Sequence, residues 1–306
     1  MSGLLFAEQC LNGLQFGLML FLLAAGLTLV FGIMDLINLA HGSLYMLGAY
    51  LAATLTQATD SFLSGVALAL CATALIGMLL ELTVLRHLYR RDHLSQVLAT
   101  FALILIANEA TRAIWGVQPL SFNVPAALSG SVQLLPGLSY SAFRLAIIAV
   151  GLLVAALLYL LIGRTRIGML VRAGASNRAM ATAMGTNIQR LFTALFGVGA
   201  ALCALAGAML GPLLAVQVGM GENILILAFV VVVIGGIGSV RGAFVGALLV
   251  GVVDTFGRAF VPLTLRQFLP PALADAAGPS LAAISIYILM ILVLLWKPQG
   301  LFPSRA

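Results

Sequence analysis

Two pairs of oppositely charged residues lie near the ends of long apolar stretches and have the spacing of helical ion pairs. Glu109 and Arg112 are three residues apart, and Asp254 and Arg258 are four apart. Residues at these spacings share one face of a helix, so each carboxylate can pair with its guanidinium group. If the stretches cross a membrane, these residues are also candidates for a transport path, because charges at membrane depth are rare and functional. The sequence leaves both interpretations open.

The side chains needed for nucleotide binding and common catalytic chemistry are missing from the sequence. A nucleotide-binding loop needs a GK[ST] run, and the single lysine, Lys297, is followed by Pro298. There is no HExxH run, no His/Cys cluster and no nucleophile elbow. The cysteines Cys10, Cys71 and Cys203 show no CxxC spacing and are typical of small core residues. We therefore expect no enzyme activity, no bound cofactor and no metal site in this chain.

The composition is that of a polytopic membrane protein. The chain has 306 residues, of which 62% are hydrophobic and 8% are charged, and its mean hydropathy is +1.16. In soluble domains about 25% of residues are charged. The net charge of +6 does not call for a nucleic acid partner, because the arginines cluster where cytoplasmic loops facing anionic lipid are expected. The first arginine is Arg86, so a cleaved signal peptide with a basic leading segment is not expected.

Apolar segments of membrane-spanning length recur along the chain and predict eight or nine transmembrane helices. The segments are Leu11–Ile33, Leu44–Ala58, Val66–Leu85, Val97–Trp115, Leu145–Ile162, Leu191–Leu214, Glu222–Ile234, Ala243–Ala259 and Leu281–Trp296. We therefore predict a single all-α membrane domain over residues 1–306, a helix bundle with some short or broken members. The proline-containing stretches Gly116–Ser141 and Phe260–Ser280 are predicted to be external loops.

A basic stretch between two of these segments, Arg164–Arg190, predicts a cytoplasmic loop. It contains five arginines and no acidic residue, and basic loops stay on the cytoplasmic side of a membrane. Ser176 is a good N-cap, Arg178–Met184 consists mostly of helix formers, and Gly185 suits a left-handed C-terminal cap. The stretch predicts a short helix of about two turns, which needs a protein surface to hold it. The alternative is an interhelical loop that merely caps well.

Polar residues interrupt the apolar pattern between the first two segments, in the run MDLINLAHGS. They are Asp35, Asn38, His41, Gly42 and Ser43. Irregular backbone at membrane depth is tolerated only where protein or a water-filled cavity meets it. We therefore predict a broken helix at which the last four of these residues line a translocation path. The alternative for His41 is structural, with its ring satisfying backbone groups that the break leaves free.

The glycine-rich run GGIGSVRG lies between two short apolar segments. Each glycine inside a helix costs about 1 kcal/mol relative to alanine, so the run predicts a tight turn built on Gly235, Gly236 and Gly238. Ser239 can cap the following helix, and Arg241 can anchor it at the cytoplasmic face. The alternative is a re-entrant tip at which the arginine meets a carboxylate of the substrate or of a partner.

Several stretches resemble a known family in its own order. Residues Phe16 to Ala52 resemble the opening of LivH-type permeases, inner-membrane subunits of the ABC importers for branched-chain amino acids and related solutes. The most specific part of this match is INLAHGSLYMLGAY. The run RAGASNRAMATAMGTN resembles the family's cytoplasmic coupling loop, and VVIGGIGSVRGAFVGALLVG and LVLLWKPQGLF resemble its two C-terminal signatures. Together these matches cover most of the chain.

The resemblance implies a multi-pass permease subunit of the bacterial inner membrane. It further implies a second, LivM-type permease, two cytoplasmic ABC ATPases that bind ATP-Mg, and an external solute-binding protein, with the lipid membrane around the permeases. The residues expected to couple to an ATPase are Arg172, Ser176, Asn177, Met180, Ala181, Met184 and Gly185. The absence of a nucleotide-binding loop in the sequence agrees with ATPases supplied by other chains.

Three departures from the family pattern bear on the substrate. Members that import branched-chain amino acids often have glutamate at the position of Ser43, acids at Ser176 and Asn177, and lysine at Leu227. The expected substrates are branched-chain amino acids or related small polar solutes. The alternatives are urea, short amides or small carboxylates, aromatic acids included. A different class of function, a stand-alone secondary transporter or channel with broken helices around a midplane site, stays open.

Overall fold

The computed structural model describes residues 3–302, with Ile33 described by its backbone alone, and is built mainly of α-helices. In chain order the helices are α1 (Gly3–Met34), α2 (His41–Thr59), α3 (Phe62–Leu80), α4 (Arg86–Leu88), α5 (His93–Trp115), α6 (Ala142–Arg164), α7 (Arg166–Ser176), α8 (Arg178–Ala183), α9 (Ile188–Leu210), α10 (Met220–Gly235), α11 (Val240–Leu265) and α12 (Pro271–Trp296). A π-helical turn, Glu81–Leu85, joins α3 to α4. Seven stretches of the described chain are long and apolar enough to cross a membrane, and the shorter α2 and α10 pack among them. The predicted all-α membrane bundle is confirmed.

The segment between α5 and α6, predicted to be a loop, contains a small hairpin. Strands β1 (Ser131–Leu135) and β2 (Leu138–Ser141) pair antiparallel, and a 3-10 turn, Ala126–Leu128, precedes them. An isolated bridge between Leu120 and Val216 joins this segment to the connection between α9 and α10. The hairpin therefore sits at the same end of the bundle as that connection.

The prediction of a loop over Phe260–Ser280 is wrong. Helix α11 continues to Leu265 and α12 begins at Pro271, so only a short turn separates them. Proline favours the first position of a helix, because the amide hydrogen that it lacks has no partner there. Across the turn the Arg266 guanidinium donates two hydrogen bonds of 2.9 Å to the carboxylate of Asp275. Pro270 and Pro271 thus mark a helix start, and Pro262 and Pro279 lie within the two helices.

Helix α1 forms the centre of the bundle and is buried along most of its length. It packs against α11, α9, α10 and α6. Small residues allow the backbones to meet: a Cβ atom at Gly17 would lie 2.8 Å from the carbonyl oxygen of Ala247, and one at Gly207 would overlap the carbonyl oxygen of Tyr45. In lipid, the hydrophobic effect does not drive helices together, so helices associate through close van der Waals packing of this kind.

Candidate functional site

The predicted break separates α1 from α2. Helix α1 ends at Met34, Asp35 has a positive φ of 50°, and the chain is irregular until α2 begins at His41. Two side chains of α5 form hydrogen bonds with the backbone of the break. The amide of Ile37 donates to Oε1 of Gln96 at 3.3 Å, and Oγ1 of Thr100 donates to the carbonyl oxygen of Ile37 at 3.4 Å. Both backbone groups of Ile37 are therefore satisfied by protein, as irregular backbone in a membrane requires.

The residues predicted to line a path lie together but are covered. Asn38 and His41 are fully buried, and Ser43 is 6% exposed. Oδ1 of Asn38 accepts a hydrogen bond of 3.1 Å from the amide of Ala40, and Nε2 of His41 lies 3.0 Å from Sγ of Cys203 on α9. Within residues 3–302, Nδ2 of Asn38 has no hydrogen-bond partner. The break is closed in this conformation and retains this unused amide donor.

The start of α10 lies against the start of α2. A Cβ atom at Gly42 would overlap the carbonyl oxygen of Gly221, so the two backbones touch where both helices begin. Gly219, which precedes α10, has a positive φ of 86°. Glu222 occupies the first turn of α10, where the positive end of the helix dipole stabilises a negative charge. The broken helix α2 and the short helix α10 thus present their N-termini side by side inside the bundle.

A charged surface on α5 and α10 adjoins this point. Nδ2 of Asn108 on α5 donates to Oε1 of Glu222 at 2.7 Å. One residue further along α5, Glu109 pairs with Arg112 at 2.7 Å, and these side chains are 67% and 48% exposed. Glu109 is six residues from Trp115, the end of α5, which is about 9 Å along the helix. Sequence reasoning found the pair on α5 but missed Asn108 and Glu222, whose proximity depends on tertiary packing.

The remainder of this face of α5 is apolar and exposed. Among the exposed side chains are Leu98, Phe101, Leu105 and Ile106, and α5 packs on the bundle mainly through α2. Ionised groups at membrane depth almost always face a bundle interior or a water-filled cavity. Glu109 and Arg112 therefore indicate that this face of α5 meets another protein surface or water, not hydrocarbon.

The second predicted charged pair is structural in this conformation. The carboxylate of Asp254 is 6% exposed. Both of its oxygens lie 2.9 Å from Nε of Arg258, one turn along α11, and share the single Nε–H. Such pairing compensates a buried charge. The pair lies on α11, away from the starts of α2 and α10.

The basic stretch forms two short helices rather than one. Helix α7 runs to Ser176, and α8 is capped by Asn177, whose Oδ1 accepts a hydrogen bond of 2.9 Å from the amide of Met180. The prediction that Ser176 is the N-cap is therefore wrong by one residue. The reason is that Thr165 caps a preceding helix that extends through Ser176. Gly185 has a positive φ of 86° just after α8, as a left-handed cap requires.

Helix α8 presents apolar side chains to its surroundings. Met180 is 61% exposed and Met184 is 80% exposed, whereas Ala181 is buried at 5%. The guanidinium group of Arg178 lies over the ring of Phe192 on α9, 5.4 Å from its centroid. Ala181 and Arg178 thus hold the helix against the bundle. Met180 and Met184 stay exposed and can contact another surface. Arg172, also predicted to be in the coupling set, instead donates to the carbonyl oxygen of Ile162 on α6.

A buried carboxylate links this region to the end of α1. Glu81, fully buried in the π-helical turn, accepts hydrogen bonds from Tyr89 at 2.8 Å, Thr193 at 2.6 Å and Arg86 at 3.3 Å. The Tyr89 ring packs edge-on against Phe192, beneath Arg178, at 5.6 Å between centroids. Burial, followed by the hydrogen bond to Glu81, raises the pKa of Tyr89 well above its usual range.

The same tyrosine also approaches the break. Its hydroxyl lies 3.7 Å from Sδ of Met34, the last residue of α1 before the break. Side chains from Arg178 through Phe192 and Tyr89 to Met34 therefore form a continuous contact between α8 and the break. Sequence reasoning missed Glu81, because a single acid at the end of an apolar segment gives no signal of burial.

The glycine run forms the turn between α10 and α11. Gly236 and Gly238 have positive φ angles of 103° and 79°, which glycine adopts without steric cost. Oγ of Ser239 accepts a hydrogen bond of 3.1 Å from the amide of Gly242 and so caps α11. The guanidinium group of Arg241 lies 5.2 Å from the ring centroid of Tyr159 on α6. Gly235 is the last residue of α10, so the turn starts one residue later.

Comparisons with known proteins agree on one family. Residues 9–294 match the family described as branched-chain amino acid transport system / permease component. The chain is 31% identical to the high-affinity branched-chain amino acid transport system permease protein BraD of Pseudomonas aeruginosa, over 97% of this chain and 95% of that protein. It is 27% identical to the permease protein LivH of the corresponding system of Escherichia coli, over 97% of this chain and 96% of that protein.

A third relative is similar over a slightly smaller share of its length. The chain is 28% identical to the probable branched-chain amino acid transport permease protein LivH of Methanocaldococcus jannaschii, over 92% of this chain and 88% of that protein. No solved structure matches the chain. The matches extend over nearly the whole length of each relative, so the similarity concerns the entire membrane domain rather than one motif.

Proposed function

The chain belongs to the family of permease components of branched-chain amino acid transport systems. From this membership we propose that it is one of the two transmembrane subunits of a binding-protein-dependent ABC importer. A second, related permease of the LivM type completes the membrane part. Two cytoplasmic ATPases bind ATP-Mg and drive transport, and an external binding protein delivers the solute. The bacterial inner membrane is the location that suits this assembly.

The observation that supports coupling to an ATPase is the exposed face of α8. A six-residue helix is marginal alone in water, yet α8 is capped at both ends and held by Ala181 and Arg178. Its methionines are flexible apolar side chains suited to a protein contact. We propose that α8 docks in a groove of an ATPase, with Met180 and Met184 as the contacting side chains. Asn177 and Gly185 keep the helix in shape.

The second permease is proposed to cover the exposed face of α5. Glu109 and Arg112 cannot face hydrocarbon at low cost, and α5 has few contacts within its own chain. A path between the two permeases would be bordered by the charged surface on α5 and α10 and by the starts of α2 and α10. Carboxylates of Glu109 and Glu222 and the guanidinium group of Arg112 supply both signs of charge that a zwitterionic amino acid can use.

The proposed solute is a branched-chain amino acid or a related small polar solute. The names of the relatives support this choice, since each is described as a branched-chain amino acid permease. Related importers often have charged residues at the positions of Ser43 and Leu227. Because this chain lacks those charges, urea, short amides and small carboxylates are the second candidate class of solutes. A stand-alone carrier or channel is the candidate from another functional class.

The decisive experiment is purification of the tagged chain from cells that express its whole system. We expect ATPase chains to co-purify, and ATP hydrolysis to rise when the binding protein is loaded with leucine. Replacement of Met180 and Met184 by aspartate should remove the ATPases while the second permease stays bound. The matched control is Val132→Asp, a change of another exposed apolar residue on β1. Solute uptake by the chain alone, without any ATPase, would establish the stand-alone carrier instead.

The same preparation distinguishes the solute classes. Thermal shifts of the binding protein with leucine, urea and benzoate separate the three chemistries, because a bound ligand stabilises the folded state by mass action. We expect leucine to give the largest shift. A shift with benzoate or urea alone would move the assignment to the second class of solutes and leave the role as permease subunit intact.

A further inference from the structure

A groove on the side of the bundle formed by α6 and α11 has no role in the proposed transport path. Its volume is about 860 Å³, and its floor is α1. This volume is within the range of about 300–1,000 Å³ found for small-molecule sites. Apolar side chains form most of its walls, among them Leu152 and Ala156 of α6, Phe244 and Val245 of α11 and Phe21 of α1. The groove is open to the outside of the bundle.

Two arginines converge on one end of this groove. The guanidinium group of Arg172 on α7 donates to the carbonyl oxygen of Ile162, and that of Arg241 on α11 lies over the ring of Tyr159. Ile162 and Tyr159 are one turn apart in the last turns of α6, so both cations border the same end of the groove.

Among residues 3–302, no acidic group lies within salt-bridge distance of these two charges. The lining includes the hydroxyl-bearing Ser176 and Ser239 but no aspartate or glutamate. Within residues 3–302, neither Arg172 nor Arg241 forms a salt bridge. Each guanidinium group has five N–H donors, and the contacts just described leave donors free on both. An apolar groove that ends in two uncompensated cations has the shape and charge of a site for an anion with an apolar tail.

We propose that the groove binds an anionic phospholipid. The phosphate lies between Arg172 and Arg241, where guanidinium groups can donate paired hydrogen bonds to its oxygens. An acyl chain lies along Ala156 and Phe244. Arginines of this stretch are predicted to lie on the cytoplasmic side, where anionic lipids give the membrane surface its negative potential. The proposal rests on the groove and its charges and does not depend on the transported solute.

Such a lipid would connect α7 to α11. Arg172 lies one turn before the end of α7, directly ahead of the docking helix α8, and Arg241 follows the glycine turn. A lipid phosphate held by both would fix α7 against the bundle. The face occupied differs from that proposed for the second permease, since α6 packs on α1 whereas α5 packs on α2.

The test measures lipid retention by the purified assembly with native mass spectrometry. After detergent exchange, the assembly is titrated with phosphatidylglycerol or with phosphatidylcholine of the same acyl chains, with and without inorganic phosphate as a competitor. We expect phosphatidylglycerol to bind about tenfold more tightly, since charge-assisted hydrogen bonds are about twice as strong as neutral ones. The double variant Arg172→Ala/Arg241→Ala should lose that preference.

A second variant tests the apolar part of the site. Ala156→Phe fills the groove without touching the arginines and should lower retention of phosphatidylglycerol about tenfold. Its matched control is Ala67→Phe at an exposed position of α3, and the control for charge is Arg266→Ala near the start of α12. Both controls should retain lipid as the unchanged chain does.

Three outcomes would overturn the proposal. The first is equal retention of phosphatidylglycerol by the double-alanine variant and the unchanged chain. The second is displacement by inorganic phosphate together with indifference to Ala156→Phe, which would identify a site for a free phosphate ion. The third is loss of the second permease from the Ala156→Phe assembly while lipid retention is unchanged, which would identify the groove as a subunit interface.

Discussion

The short helix α8 and the break before α2 satisfy their free backbone groups in different ways. Both interrupt a hydrophobic chain and leave backbone groups without helical partners. At α8 those groups are satisfied by neighbours in sequence: Asn177 caps one end and Gly185 the other. At the break, Asn38 accepts from one amide locally, but both backbone groups of Ile37 pair with Gln96 and Thr100, about sixty residues away. The caps of the first element do not depend on other helices, whereas the shape of the second depends also on how α5 is placed.

This difference suggests separate roles. An element with local caps and exposed methionines can move as a unit against a partner. An element held by distant side chains changes when those helices shift, which is the property a gate needs. The contacts through Phe192, Tyr89 and Met34 join the two regions. Coupling requires that both regions bias the same two-state element, and substitutions in each region and in the link between them measure it.

The largest effect is expected at the contact between α2 and α10. Gly42→Ala would make a Cβ atom overlap the carbonyl oxygen of Gly221. A backbone atom cannot move out of the way by changing rotamer, as a side chain can, so the two helices would have to separate. We expect a destabilisation of about 3 kcal/mol or more and loss of the assembled, transport-competent protein, measured by gel filtration and uptake. Gly130→Ala, which meets nothing within 4 Å, is the control. Normal assembly of Gly42→Ala would contradict the close approach of the two helix starts.

The next effect is expected at the cap of α8. Gly185→Val forces a β-branched residue into a left-handed conformation, at a cost of about 1–2 kcal/mol. We expect at least about tenfold lower uptake, with insertion and permease pairing unchanged, because only the docking element is distorted. Gly130→Val serves as control, since Gly130 is equally uncrowded and lacks a positive φ. Uptake at the normal rate by Gly185→Val would count strongly against a docking role.

A smaller effect is expected from weakening the link at Glu81. Glu81→Gln keeps the shape but removes the charge that Tyr89, Thr193 and Arg86 share. Arg86 is 30% exposed, so solvent screens part of the pair and we expect about 1–2 kcal/mol of lost stability. A lower melting temperature with a few-fold loss of transport is expected. An unchanged melting temperature would show that the buried carboxylate is not needed to hold the link.

Arg241→Lys should change transport little. Anchoring at the membrane surface and attraction to a phosphate need a positive charge, which lysine supplies as a point charge. Uptake within about twofold of normal is expected from the lysine variant, whereas Arg241→Glu should lose most of it. Severe loss in Arg241→Lys with normal assembly would instead favour paired recognition of a carboxylate at a re-entrant tip.

The smallest effect on transport is expected from Ser43→Cys, in a background without Cys10, Cys71 and Cys203. Ser43 is 6% exposed in the closed conformation, so a small water-soluble thiol reagent should modify it only when the path opens. A trapped, closed state should protect it. Absence of modification in every state would show that the break is structural and does not line a path.

Local patterns of sequence were sufficient for much of this architecture. Hydropathy alone predicts the spans, because a helix that crosses lipid must be apolar along its length. The glycines at 236 and 238 and the serine at 239 predict the turn and its cap, since these depend on backbone conformation within a few residues. The break at Asp35 to Ala40 followed from the same local logic.

Local patterns misplaced features whose outcome depends on neighbouring structure. Ser176 is as good a cap as Asn177, and only the extension of α7 through Ser176 decides between them. Prolines at 270 and 271 suit a loop or a helix start, and the pairing of Arg266 with Asp275 accompanies the helical outcome. In both cases two local conformations are close in energy, so contacts beyond the local segment select one.

Only the tertiary structure brought together the residues on which the functional proposals depend. Asn108 meets Glu222 across 114 residues, and Thr193 meets Glu81 across 112. Arg172 and Arg241 border one groove only because both lie against the last turns of α6. In the sequence each of these residues is a polar residue near an apolar segment. The partner that the structure gives it is too distant in the chain to be recognised from helical spacing. Membrane class, spans and caps follow from short-range chemistry, whereas the sites arise from packing of helices distant in the chain.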